Sequence, residues 1–181
     1  MAKINYIGCT ILLLLISLCA TGQRHLSEDR QALIKTYRKD IGITEATNNN
    51  DGSRVAYFQQ MAGLDTTTHP PYCAAFVYSS HIEAGIDIDY PLPAWSPTWA
   101  ENGEIIFEKG RAKTVVLPGD VATIYSSQKG RASHTFFIDG EGKEFFITVQ
   151  ANIRSPTSGK EGVWRRKIKK KLIHRITRHI E

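Results

Sequence analysis

After residue 22 the chain holds one cysteine, Cys73, in the stretch HPPYCAAFV. A single thiol can form no internal disulfide, so in an oxidising compartment it is a liability unless it is buried or used. Its setting suits use. The prolines of TTTHPP, residues 66–71, stop a helix from entering that loop, and residues 73–84 then read as a helix ending at Gly85. Cys73 is therefore expected in the first helical turn. There the backbone N–H groups and the helix dipole favour the thiolate and lower the pKa from its free value of about 8.5. Ala74 and Ala75 carry little bulk, which lets this turn pack closely against a sheet. The chemistry on offer is nucleophilic attack by a thiolate. The competing expectation is a buried cysteine serving as a small hydrophobe.

A nucleophilic cysteine needs a base. Beyond residue 22 the histidines are His25, His69, His81, His134, His174 and His179. His81 lies on the same helix as Cys73, about 12 Å along it at ~1.5 Å rise per residue, and is out of reach. His25 is near the N-terminus, and His174 and His179 sit in the basic tail. His69 lies in a loop with nothing to fix it. His134 opens the strand SHTFFI, and a strand is the more rigid mount for a base, although a strand histidine can equally be structural. A third group must orient the imidazole. A hairpin centred near Gly142 would set His134 roughly opposite Gln150, and alternation puts Gln150 and Asn152 on one face. Either amide oxygen could accept the imidazole N–H, as in a Cys-His-Asn arrangement. Two ordinary polar residues at a strand end would look the same.

The elements that carry these residues follow from periodicity. Leu33, Ile34, Tyr37 and Ile41 recur at helical steps behind Ser27, a capping residue. NNNDGS, residues 48–53, is a loop, and a second helix is expected at about 53–63 with Val55, Phe58 and Met61 on one side. PLPAWSPTWAENG reads as irregular. Strands are then expected at 105–107, 114–117, 120–125, 134–138 and 144–150, with DGEGK, 139–143, as a hairpin turn. Helices first and antiparallel strands second predict an α+β domain.

The chain has 181 residues, 41% hydrophobic and 23% charged, with a net charge of +5. This suits one domain with a core that needs no disulfide. Residues 1–22 read as a secretory signal: Lys3, the apolar run ILLLLISLCA, then Ala20 and Gly22 at a cleavage spacing. The apolar run is short for a membrane anchor. Lipidation at Cys19 is disfavoured by Leu18 before it. The expected mature domain is 23–181, exported to the periplasm or outside the cell. From Trp164 to Glu181 the chain carries eight Lys or Arg and one Glu, which exceeds the net charge of the whole. That tail either docks one apolar face as a final strand or helix, or grips an anionic surface. Nucleic acid is not an expected partner of an exported protein. No metal cluster is visible, no cofactor is expected, and a monomer is expected.

Together these segments resemble the CHAP family, the cysteine, histidine-dependent amidohydrolases/peptidases, within the papain-like superfamily of cell-wall hydrolases that also holds the NlpC-like peptidases. NNNDGSRVAYFQQMAGLDTTTHPPYCAAFV is similar to the family's lead-in and nucleophile helix, and LPGDVATIY to its Gly-Asp turn and central strand. SHTFFIDGEGKEFFITVQANI is similar to its histidine strand and the next, and SGKEGVWRRK to its closing strand. The resemblance covers most of the chain after residue 22. It implies a papain-like fold with the nucleophile helix packed on an antiparallel sheet, Cys73 as nucleophile, His134 as base, and a polar partner from TVQAN. Gln150 stands where relatives often have Glu, and Asn152 fits the pattern. Tyr72 stands where relatives often have Trp.

The implied activity is cleavage of an amide bond in peptidoglycan, either the sugar–peptide bond of an N-acetylmuramoyl-L-alanine amidase or a peptide bond of an endopeptidase. Tyr72, Trp95 and Trp99 are expected to line the substrate groove, unless they belong to the core. The alternative is a cell-wall-binding protein on the same fold with an impaired site, motivated by the uncharged Gln150. A secreted toxin or effector would use the same chemistry.

Overall fold

Ser27 starts the first helix as its side-chain hydroxyl accepts from the backbone N–H of Arg30 at 3.3 Å. In this computed structural model, which describes residues 26–181, that helix is α1, Glu28–Lys39, with Glu28 and Asp29 in its first turn and Arg38 and Lys39 in its last. Both ends suit the helix dipole. The expected export segment, Cys9 and Cys19, and His25 lie outside the described residues. Among those described, no helix is long and apolar enough to cross a membrane. Helices α2, Ser53–Met61, and α3, Cys73–Glu83, follow where periodicity put them. A fourth, α4, Ser96–Glu101, lies inside the segment expected to be irregular. Six residues are too few to show a helical period. Pro97 at its start is a local signal, since the first turn has no intrahelical use for the missing N–H.

Among the described residues seven strands form one sheet: β1 Glu104–Glu108, β2 Arg111–Ala112, β3 Val121–Ser126, β4 Arg131–Glu141, β5 Phe145–Arg154, β6 Glu161–Lys169 and β7 Arg175–Arg178. Their order is β2-β1-β7-β3-β4-β5-β6, and every pairing is antiparallel. The class is therefore α+β. Alternation divides the core between the two faces. Val121, Phe137, Val149 and Val163 join Leu33, Tyr37, Phe58 and Phe76 on the helix side, whereas Ala122, Phe136, Ile138 and Phe146 pack with Ile106 and Ile176 in a second cluster.

Two expectations need correction. Residues 114–117 form no strand. The carbonyl of Val115 accepts from Arg178 Nη2 at 2.8 Å and the N–H of Leu117 donates to Asp120 Oδ2 at 2.9 Å, so side chains take the groups that a neighbouring strand would have used. The β4–β5 turn also lies later than 139–143. β4 continues to Glu141, and Gly142 N donates to Phe145 O at 2.8 Å. A bulge interrupts the pairing between Ile138 and Gly140. It sits at Asp139, whose buried carboxylate is held by Tyr37 at 2.9 Å, by Arg38 at 2.6 Å and by Arg165.

Where β3 begins, Asp120 is buried between two arginines. Arg30 Nη1 reaches Oδ1 at 3.0 Å, and Arg178 donates to both oxygens at 3.0 and 2.8 Å. This cluster ties α1 to β3, which pairs with the histidine strand β4, and to β7 on the other side of β3. The basic tail proves to be sheet, with β6 on one edge and β7 in the interior between β1 and β3. Segment 42–45 crosses the start of β6 so closely that a Cβ at Gly162 would lie 2.1 Å from the Ile43 carbonyl oxygen, which is why glycine stands there.

Candidate active site

Cys73 is the first residue of α3, with the loop ending at Tyr72 before it. The next four residues, Ala74 to Val77, are buried, which holds the first turn against the rest of the fold. The thiol is itself nearly buried, with Ser96 Oγ at the start of α4 3.8 Å from its sulfur. Of the groups that favour its thiolate, His134 on β4 acts most strongly. Nε2 of His134 meets Gln150 Oε1 at 3.0 Å, which leaves Nδ1 for the thiol.

Gln150 is held in turn. Its Nε2 donates to Thr148 Oγ1 at 2.8 Å, and the Thr148 hydroxyl donates to the carbonyl of Arg166 at 3.1 Å. This relay orients the amide with its oxygen toward the imidazole, so the imidazole nitrogen facing Gln150 carries the proton. Thr148 and Gln150 are two apart on one strand and share a face. The register pairs Phe137 with Val149. Carried on along both strands, it sets Gln150 diagonally from His134 rather than opposite it, within reach of a long side chain.

The electrostatics of the pair follow from contact inside a buried site. Burial alone pushes the Cys73 thiol up. The hydrogen bond and charge of His134, a backbone hydrogen bond from Thr135 and the Ser96 hydroxyl outweigh it and bring the thiol down to about 7. Burial likewise opposes charge on His134, but its bond to the Cys73 thiolate, helped by Gln150, raises its pKa above the ordinary histidine value. Each charged form supports the other, which describes a thiolate–imidazolium pair.

The remaining expected residues are placed differently. Asn152 does not reach His134. It has a left-handed φ of 58° at a bulge between Gln150 and Ile153, and its amide donates to Asn50 Oδ1. The alternation that put Gln150 and Asn152 on one face breaks there, and the orienting contact belongs to Gln150. Tyr72 is fully buried and donates to Glu45 Oε1 at 3.0 Å, so it lines no groove. Trp99 is also fully buried, with its indole N–H on the Pro93 carbonyl at 2.8 Å and its ring stacked on His81. Trp95 alone of the three is open, at 42% exposure. It borders an apolar groove of about 560 Å³ with Leu64, Leu92 and Pro93, and the Arg131 guanidinium lies 5.7 Å from its ring centroid. The sequence reading did not find Ser96, Thr135 or Thr148. Only Thr148 left a signal, two residues before Gln150.

Comparison with protein-family models, with curated proteins and with solved structures finds no match for this chain. The reading of the site's chemistry therefore rests on its own geometry. One consequence tests the relay directly. Gln150→Glu places a full negative charge on the imidazole and is expected to raise His134 further and move half-ionisation of Cys73 below pH 7. The pH dependence of iodoacetamide alkylation measures this, and an unmoved midpoint would mean that residue 150 does not tune the pair.

Proposed function

We propose that the protein is an exported cysteine hydrolase of the CHAP type, on a papain-like fold, that cleaves an amide bond in peptidoglycan. The observation that carries this reading is the Cys73 thiol at a helix start, paired with an imidazole whose other nitrogen is fixed by Gln150. That is the geometry of a nucleophile, a base and an orienting group. The peptidoglycan substrate and the exported location rest on the family resemblance and on the reading of residues 1–22.

In this mechanism His134 holds the proton of Cys73 and the thiolate attacks the amide carbonyl. The backbone N–H of Cys73 and the dipole of α3 stabilise the oxyanion. His134 then donates its proton to the leaving amine, giving a thioacyl enzyme and a free amine. Water, deprotonated by His134, attacks the thioester and releases the acid and the thiol. Ser96 is near enough to the sulfur to hydrogen-bond the thiolate before attack. Trp95, which borders the apolar groove, directly precedes Ser96 in the chain.

The test is incubation of the protein with peptidoglycan beside Cys73→Ala, with fragments read by mass spectrometry. New fragments from the unmutated protein alone are expected, and their masses identify the bond. Equal fragment patterns from both proteins, with the fold intact, would overturn the reading. The second reading, a wall-binding protein with an impaired site, is favoured by one observation: Gln150 is neutral and cannot stabilise an imidazolium by charge. It predicts retention on peptidoglycan without fragments from either protein.

A further inference from the structure

Among the described residues, strand β6 has a neighbouring strand on one side only. Its first residues are covered on the other side, where Gly42 N donates to Val163 O and Val163 N to Ile43 O, both at 2.9 Å, and Glu45 N to Glu161 O at 2.9 Å. The backbone groups of Val163 thus point to the outer edge, and strand alternation sends those of Arg165 and Lys167 the same way. Among the described residues, neither of these two meets a backbone partner on that edge.

A groove of about 710 Å³ runs beside this open edge, from Gln150, which holds His134, to the half-exposed Leu172. Among the described residues its lining includes Arg154, Arg166, Lys167, Lys169 and Lys171 and no Asp or Glu. Of these five cations, only Arg154 has a carboxylate partner among the described residues, Glu161 at 2.9 Å. Lysines on an edge strand deter pairing with a second copy of the chain, because like charges meet. The same charges favour a strand that carries carboxylates.

We propose that the open edge of β6 binds an extended acidic peptide, which adds to the sheet as an eighth strand and lays its carboxylates along the basic groove toward Gln150. Main-chain hydrogen bonds with Arg165 and Lys167 give the affinity, and the cations select for acidic side chains. The edge is what favours a peptide over other polyanions: a phosphate polymer or a lipid headgroup would meet the cations but leave the strand's N–H and C=O groups unanswered. The groove meets the thiol site only at Gln150, and binding along the edge needs no hydrolysis, so the two readings are tested independently.

The test uses a fluorescent eight-residue peptide of alternating Glu and Thr, titrated against the protein at low salt and followed by anisotropy. Saturable binding is expected, weakened about tenfold or more by the double substitution K167E/K169E. Both lysines are exposed, and circular dichroism checks that the variant is folded. The same peptide N-methylated at alternate residues keeps its charge but loses edge hydrogen bonds, and it should bind about tenfold more weakly. Hydrogen exchange should show the amides of Arg165 and Lys167 protected by the unmodified peptide. No binding would overturn the proposal. So would equal binding of the methylated peptide, or preferential binding of polyphosphate or phosphatidylglycerol vesicles, which would mark the face as a general polyanion or membrane surface.

Discussion

Replacing His134 with alanine is expected to take Cys73 from half-ionised near pH 7 to a thiol that ionises above the free-cysteine range. The sign follows from the opposing causes. Burial raises the thiol and remains in the variant, while the hydrogen bond and charge of His134, which lower it, are lost. At pH 7 the thiolate fraction should fall from about half to a few per cent or less, since each unit of pKa is a factor of ten above the midpoint. Alkylation by iodoacetamide at pH 7 should slow in proportion, and its midpoint should move up by roughly two pH units. Hydrolysis should drop further, by about 10²–10⁴, because the leaving amine also loses its proton donor. Circular dichroism would check that the fold persists. An alkylation midpoint still near pH 7 would remove His134 from the mechanism and leave activation to the helix start, the Thr135 N–H and the Ser96 hydroxyl.

Removing the carboxylate of Asp120 is expected to have the largest effect on stability. Asp120→Ala leaves Arg30, 1% exposed, with its charge uncompensated, and takes two hydrogen bonds from Arg178. Breaking a buried pair on one side costs about 3–5 kcal/mol. In a chain of this size that corresponds to a fall of roughly 10 °C or more in Tm. Urea unfolding of the variant beside the unmutated protein measures it. Arg30→Met combined with Asp120→Leu should recover part of the loss, because an apolar pair needs no partner and the desolvation penalty disappears. A loss below about 1 kcal/mol would show that water already reaches the cluster and screens it, as it does at exposed pairs.

Several features were legible because they are local. A proline-rich loop before an apolar helix places Cys73 at a helix start whatever surrounds it, and β-branched alternation marks β3, β4 and β5. His81 could be set aside from helix geometry alone, and it is indeed packed on Trp99, well away from the thiol. The short helix α4 was not legible, since six residues hold no period, and with it went Ser96. The TVVL segment has strand composition, yet composition does not supply a neighbour. Arg178 and Asp120 claim its backbone groups from parts of the chain that no local window joins.

The same distinction runs through the site. The sequence by itself determined that Cys73 opens its helix and that His134 lies on a strand, and it narrowed the expected polar contact of the imidazole to Gln150 or Asn152. Tertiary structure decided between Gln150 and Asn152, because a bulge and a left-handed residue turn Asn152 toward Asn50 while Thr148 fixes the amide of Gln150 on the imidazole. It also decided which aromatics are open, burying Tyr72 and Trp99 and leaving Trp95 exposed. And it turned a run of basic residues into one edge strand and one interior strand. The physical reason is range. Helix starts and strand alternation are set by backbone sterics and hydrogen bonds over a few residues. Burial, register and the pairing of charges depend on which distant segments close on one another.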